Sequence, residues 1–160
     1  PDCVRSWAEG ESAILRNPNS TRPWQHVLEP LSGYLTLAIA LHEKIRFHGE
    51  PFNFGPSALN NNTVLALVQE MSRHWDQVSW KKAYNNEKKP YESGLLKLNC
   101  DKALHDLHWQ AFLPFQETVR MTAEWYSSYY KNPLTIQELT FKQIQEYVQI
   151  AQSKEMPWAQ

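Results

Sequence analysis

A chain of 160 residues, 42% apolar and with a net charge of −1, is the right size for about one domain, able to bury roughly 70% of its unfolded surface. So small a net charge gives no broad field to draw in nucleic acid, and no apolar run is long enough to span a bilayer. The most apolar stretch, 31–41, is short and contains Ser32, Gly33 and Thr36. No secretory signal is visible, and Cys3 and Cys100 are far apart and outside any metal spacing, which suits reduced thiols in the cytoplasm.

In chain order, residues 2–9 read as a helix end closed by Gly10. Because the chain begins at Pro1 inside such a helix, a piece of a longer protein is expected. Residues 13–16 read as a short strand and 25–28 as a second extended piece. Glu29 and Pro30 start a helix to about Phe47, with Leu31, Tyr34, Leu35, Ala38, Leu41 and Ile45 on its buried face. Gly49 and Pro51 stop it. Phe52-Asn53-Phe54 alternates as a strand and ends at Gly55-Pro56. The cap-rich run 60–63 opens a helix whose core stripe is Val64, Leu65, Leu67, Val68, Met71 and Trp75.

Residues 78–84 read as a strand, 85–90 as a charged loop and 95–98 as another strand. Asp101 is expected to cap a short helix with Leu104 and Leu107 facing inward. Pro114 opens the next helix, with a buried stripe of Phe115, Val119, Thr122, Tyr126 and Tyr129. Thr135 with Glu138, and Thr140 with Gln143, have capping-box spacing. Phe141, Ile144, Tyr147, Val148 and Ala151 form the inward stripe of a final helix, and 153–160 is expected to fray.

The chemistry concentrates in residues 14–30. Arg16 and Arg22 flank Asn17, Pro18, Asn19, Ser20 and Thr21, a loop stiffened by Pro18 and Pro23. A guanidinium is a rigid fork of donors matched to phosphate oxygens, so the loop reads as an anion site; the alternative is two solvated arginines. His26 reads equally as a partner of that loop or as a satisfied structural histidine. No histidine pairs with another histidine or a cysteine at metal spacing, so no metal is expected. The chain has no Gly-x-Gly-x-x-Gly turn, no phosphate-binding Walker loop and no Tyr-x-x-x-Lys pair.

The wording of 16–34, Arg-Asn-Pro-Asn-Ser-Thr-Arg-Pro-Trp-Gln-His-Val-Leu-Glu-Pro-Leu-Ser-Gly-Tyr, resembles the CDP-glucose 4,6-dehydratases of the extended short-chain dehydrogenase/reductase superfamily. Arg22, Trp24 and Val27 match the looser superfamily pattern. Phe52-Asn53-Phe54-Gly55, the block from Leu96 to Trp109, and Glu124-Trp125-Tyr126 are similar to later family signatures. Two positions depart from them, Tyr91 where His is common and His108 where Gly is usual.

The resemblance implies an α/β fold, helices with short strands, forming the C-terminal substrate-binding part of such an enzyme, with the Rossmann half that binds NAD outside this chain. Residues 1–134 would hold the nucleotide-sugar, with 30–55 packing on the absent Rossmann sheet, and 135–160 would be a terminal helix and tail. The intact enzyme would convert CDP-glucose to CDP-4-keto-6-deoxyglucose and water through NAD-mediated oxidation at C4, elimination and hydride return, on a route to the dideoxyhexoses of lipopolysaccharide O-antigen. It would be cytoplasmic and homo-oligomeric. The implied substrate contacts are Arg22 on the pyrophosphate, Asn53 at the strand end, Arg16 and Asn17 near base and ribose, with His26 and Glu92 beside them. No catalytic residue is expected here, so the chain alone should not turn over. The rival readings are a dTDP- or UDP-sugar enzyme of the same superfamily and a non-catalytic nucleotide- or protein-binding module.

Overall fold

The computed structural model describes residues 2–43, 47–83 and 94–159. Ile45, the expected loop at 85–90, Tyr91 and Glu92 lie outside the described residues. The class is α/β and mostly helical. The elements are α1 (Asp2–Ala8), β1 (Ala13–Leu15), α2 (Leu28–Glu43), α3 (Val64–Met71), β2 (Trp80–Lys82), α4 (Asp101–Leu107), α5 (Phe115–Lys131) and α6 (Ile136–Ser153). Short 3-10 turns at Pro133–Thr135 and Pro157–Ala159 precede and follow α6.

Gly10 ends α1 at φ +76°, where a side chain would be strained. The Glu11 amide reaches the Ser6 carbonyl at 2.8 Å and the Gly10 amide the Trp7 carbonyl at 3.0 Å, the two bonds of a Schellman cap. The chain then enters β1, which pairs in parallel with β2, Ala13 opposite Trp80 and Leu15 opposite Lys82. Ala13 and Leu15 point into the main core, where Trp7 and Trp75 meet edge to face at 5.8 Å among Val68, Met71, Val119 and Ala123. A second core gathers Phe47, Phe54, Ala103, Leu107 and Trp109 beneath α2.

Several expectations change on contact with the packing. Most of the expected inward face of α2 is outward: Leu31, Tyr34, Leu35 and Ala38 are exposed, Leu35 by 68%, while Leu41 packs against the second core as expected. Apolar residues run almost all round this helix, so spacing alone fits two orientations. The one adopted buries Glu29, Ser32 and Gly33, because Glu29 and Ser32 find polar partners inside and Gly33 lets Phe54 approach.

On α5, Tyr129 is exposed while Met121 and Ala123 are buried. The helix is covered on two sides, by α1 and α3 and by α6, so no single stripe describes it. On α6, Phe141 and Ile144 are exposed, and Gln143, Tyr147 and Ala151 are buried. The Gln143 amide donates to the Met121 carbonyl at 2.8 Å, which turns that face inward. Leu104 is exposed on α4, where Ala103 and Leu107 take the inner positions.

The expected pieces at 25–28, 52–54 and 95–98 form no ladder among the described residues. Alternation makes a segment extended, but a strand also needs a neighbouring backbone. Residues 52–54 are tied instead through the side chain of Asn53, and Leu95 makes an isolated bridge to Thr21. Asp101 is not its helix's cap; the Asn99 side-chain oxygen accepts the Asp101 amide at 2.9 Å. Neither expected capping box forms. Thr135 completes a 3-10 turn begun by Asn132, and Thr140 lies inside α6, bonded to the Ile136 carbonyl and the Trp125 indole. The tail does not fray: Met156 and Ala159 are buried and Trp158 stacks on Tyr147. His108 ends α4 at φ 53°, in the left-handed position where glycine is usual, at a cost of about 1 kcal/mol.

Candidate functional site

The loop after β1 is laid across two neighbours. Ser20 and Pro18 accept the amides of Val64 and Leu65 at 2.9 Å, fixing the loop on the start of α3, where Thr63 caps the helix through the Ala66 amide. Thr21 bridges to Thr63 on one side and to Leu95 on the other. The Trp24 indole donates to the Asn62 carbonyl at 3.0 Å and the Gln25 amide to the Phe54 carbonyl at 3.0 Å. These contacts hold Arg22 between the 60–62 turn and residues 95–98. Its Nη1 donates to the Thr21 carbonyl at 2.7 Å.

Arg22 thereby lines a narrow cleft with Pro23, Asn60, Asn61, Leu96, Lys97 and Leu98. The cleft adjoins a cavity of about 530 Å³, with which it shares Pro56, Ser57, Ala58, Lys97 and Leu98. That cavity is also lined by Trp109, Gln110 and Ala111 and by Cys100, Asp101 and Leu104. Gly55 belongs at this point because a Cβ there would stand 2.8 Å from Leu98 Cδ1.

Of the residues read from the sequence, Arg22 lines the cleft; Arg16, Asn17, His26 and Asn53 are not among the residues lining the cleft or the cavity. Asn53 is exposed, and its Nδ2 donates to the Asn99 carbonyl at 3.1 Å, joining 52–54 to the cavity's polar edge. Asn17 accepts the Ser20 amide through its carbonyl, turning the loop. His26 is buried, its Nδ1 accepting the Leu28 amide at 3.3 Å. Burial, helped by the Arg120 guanidinium, lowers its pKa to about 4, so the ring is neutral at pH 7. Arg120 itself lies among Glu117, Glu124 and Glu146, which hold it strongly cationic.

Reading the sequence missed Asn60, Asn61 and Lys97 as companions of Arg22. One signal was present: Thr63 alone caps α3, so the side chains of Asn60 and Asn61 are not needed as caps. The reading also missed Glu29, which is 1% exposed. Its Oε1 accepts the amides of Phe112 and Leu113 at 2.9 and 2.7 Å, and its Oε2 lies 3.1 Å from the Tyr147 hydroxyl. Burial raises the Glu29 pKa and, more strongly, that of Tyr147, so the phenol keeps its proton. No signal in the local sequence marks that partnership, which spans α2 and α6.

The arrangement suits binding. Arg22 and Lys97 supply positive charge, Asn60, Asn61 and Ser57 supply neutral donors, and the adjoining cavity mixes apolar and amide groups. Burial raises the Cys100 thiol pKa, which keeps it a poor nucleophile. No cluster of metal-ligating side chains occurs among the described residues.

No family model matches the chain. A known protein does match it, over 130 residues at 39% identity: CDP-glucose 4,6-dehydratase of Salmonella typhimurium. The chain is similar to CDP-glucose 4,6-dehydratase. The match takes in 81% of this chain and 36% of that protein, so the chain spans about a third of the length of the dehydratase it matches. The resemblance carried by residues 16–34 is thus upheld across most of the chain. No helix among the described residues is long and apolar enough to cross a membrane.

Proposed function

We propose that this chain is the substrate-holding part of a CDP-glucose 4,6-dehydratase, converting CDP-glucose to CDP-4-keto-6-deoxyglucose and water. The observation that carries this reading is the position of Arg22 in a cleft with Asn60, Asn61 and Lys97, next to a cavity of about 530 Å³. Arg22 and Lys97 would hold the pyrophosphate, each charged hydrogen bond contributing roughly 1.5–3 kcal/mol. Arg16 and Asn17 would reach toward base and ribose from the turn that leads into Arg22, with Asn53 at the cavity's edge. His26 would support the loop, and Glu92 is a further nucleotide contact that the family resemblance implies.

The oxidant of such a dehydratase is NAD. The five glycines here, Gly10, Gly33, Gly49, Gly55 and Gly94, form no dinucleotide cradle, so residues beyond these 160 would hold it. The exposed apolar face of α2, with Leu31, Tyr34, Leu35 and Ile39, supports docking of residues 30–55 on that cofactor-binding part. The extended segment 52–54 would add to its sheet. The assembled enzyme would be cytoplasmic and oligomeric.

Titration calorimetry with CDP-glucose, dTDP-glucose and UDP-glucose tests the reading. Selective binding of CDP-glucose is the expected result. Preference for dTDP- or UDP-glucose would transfer the chain to another enzyme of the superfamily, and a folded chain that binds none of them would overturn the site.

A further inference from the structure

Trp109, Gln110 and Ala111 line the cavity of about 530 Å³, and the segment 109–113 that carries them is tied at both ends to the same two side chains of α2. At one end the Trp109 indole donates to the Ser32 hydroxyl at 2.9 Å. At the other, the amides of Phe112 and Leu113 converge on Glu29 Oε1. Gln110 and Ala111, between the two anchors, face the cavity.

The hydrogen-bond bookkeeping leads to a third element. The Ser32 hydroxyl has one proton, which it gives to the Glu29 carbonyl at 2.7 Å, so its lone pairs accept. Besides the Trp109 indole, the Tyr147 hydroxyl lies 3.0 Å away, and the same hydroxyl lies 3.1 Å from Glu29 Oε2. Tyr147 is therefore the one group of α6 that touches both anchors. Its ring packs in one cluster with Phe112 and Trp158, at centroid distances of 4.8 and 5.6 Å, so the hydroxyl has little freedom to move.

We propose that Tyr147 is a positioning residue for the cavity: its hydroxyl, set by Glu29 and Ser32, fixes residues 109–113 and so makes α6 the latch of a binding wall it does not itself line. The proposal draws on the functional reading above only for the identity of the ligand. Removing the hydroxyl leaves the aromatic packing in place but unties both anchors from α6.

The test labels the tryptophan indoles with nitrogen-15 and assigns Trp109 by its loss in Trp109→Phe. In Tyr147→Phe, indole exchange at Trp109 should quicken at least about fivefold, the equivalent of one hydrogen bond, and CDP-glucose affinity should fall by a similar factor. Ser32→Ala, which removes the shared acceptor, should reproduce the loosening. Glu29→Gln should not, since an amide still accepts the two backbone N–H groups and donates to the phenol. Lys142→Ala, on the exposed side of α6, should change neither reading. Unchanged Trp109 exchange in Tyr147→Phe would overturn the proposal, even if Ser32→Ala loosens the indole, as would faster exchange with CDP-glucose affinity intact. Faster exchange in a chain whose unaltered form binds no CDP-glucose would uphold the positioning and overturn the ligand.

Discussion

Phe54 lies so close over Gly33 that a Cβ on Gly33 would stand 2.7 Å from Phe54 Cγ and 2.8 Å from Cε1. The Phe54 ring also meets Trp109 edge to face at 4.9 Å and Tyr34 at 5.5 Å, so moving it away from Gly33 disturbs a packed cluster. Gly33→Ala should therefore destabilise the chain by about 1–3 kcal/mol, although alanine is the better helix former. Urea unfolding of the two chains measures this; a stabilised alanine variant would show that α2 and Phe54 do not pack so closely.

His26 gives the stability a defined pH dependence. Its pKa is about 4 in the folded chain against 6.5 unfolded, so the unfolded state takes up the proton first. The neutral ring's contribution is whole above pH 6.5 and is lost as pH falls toward 4, by about 2 kcal/mol between pH 7 and pH 5. Glu29 acts with the opposite sign, because its pKa is raised on folding and its penalty is relieved as pH falls. Comparing His26→Gln with the unaltered chain isolates the histidine: the variant should lose less stability between pH 7 and pH 5. Equal losses would mean the ring is not held neutral by burial.

Arg120 lies near enough to His26 to depress its pKa, and it neutralises Glu117, Glu124 and Glu146 between α5 and α6. Arg120→Gln should raise the His26 pKa and cost about 1 kcal/mol of stability, a modest figure because the cluster is partly solvated. Histidine titration by NMR reads the first effect and urea unfolding the second.

Glu29→Ala should be far more damaging than Glu29→Gln. It strands the amides of Phe112 and Leu113 and leaves the Tyr147 hydroxyl with Ser32 alone, at a cost of about 3 kcal/mol or more. The glutamine keeps those donors satisfied. Similar melting temperatures for the two variants would contradict the network.

What could be read from the chain beforehand follows the range of the forces involved. Gly10, Val68, Met71 and Trp75 were legible because cap chemistry and one-sided periodicity act within a few residues. Arg22 could be singled out because a guanidinium on a stiff loop is suited to an anion, and it does line a cleft. Asn60, Asn61 and Lys97 could not be, since only the crossing of the 16–24 loop over α3 and Leu95 brings them beside it. Most of the α2 face was misread, and on α6 Phe141 and Ile144 were misplaced while Tyr147 and Ala151 were not, for a related reason. Glu29 with Tyr147, and Gln143 with the Met121 carbonyl, decide which way those helices turn, and such long-range polar pairs leave no periodic trace.

Whether Arg22, Asn60, Asn61 and Lys97 form one site for a nucleoside diphosphate-sugar is read most directly by amide chemical-shift mapping with CDP-glucose. Shifts are expected at these residues and at Ser57, with little change at Leu134 or Phe141, and Arg22→Ala should lose at least about tenfold in affinity. Shifts centred on Leu134 and Phe141, or an Arg22→Ala chain that binds as tightly as before, would contradict that site.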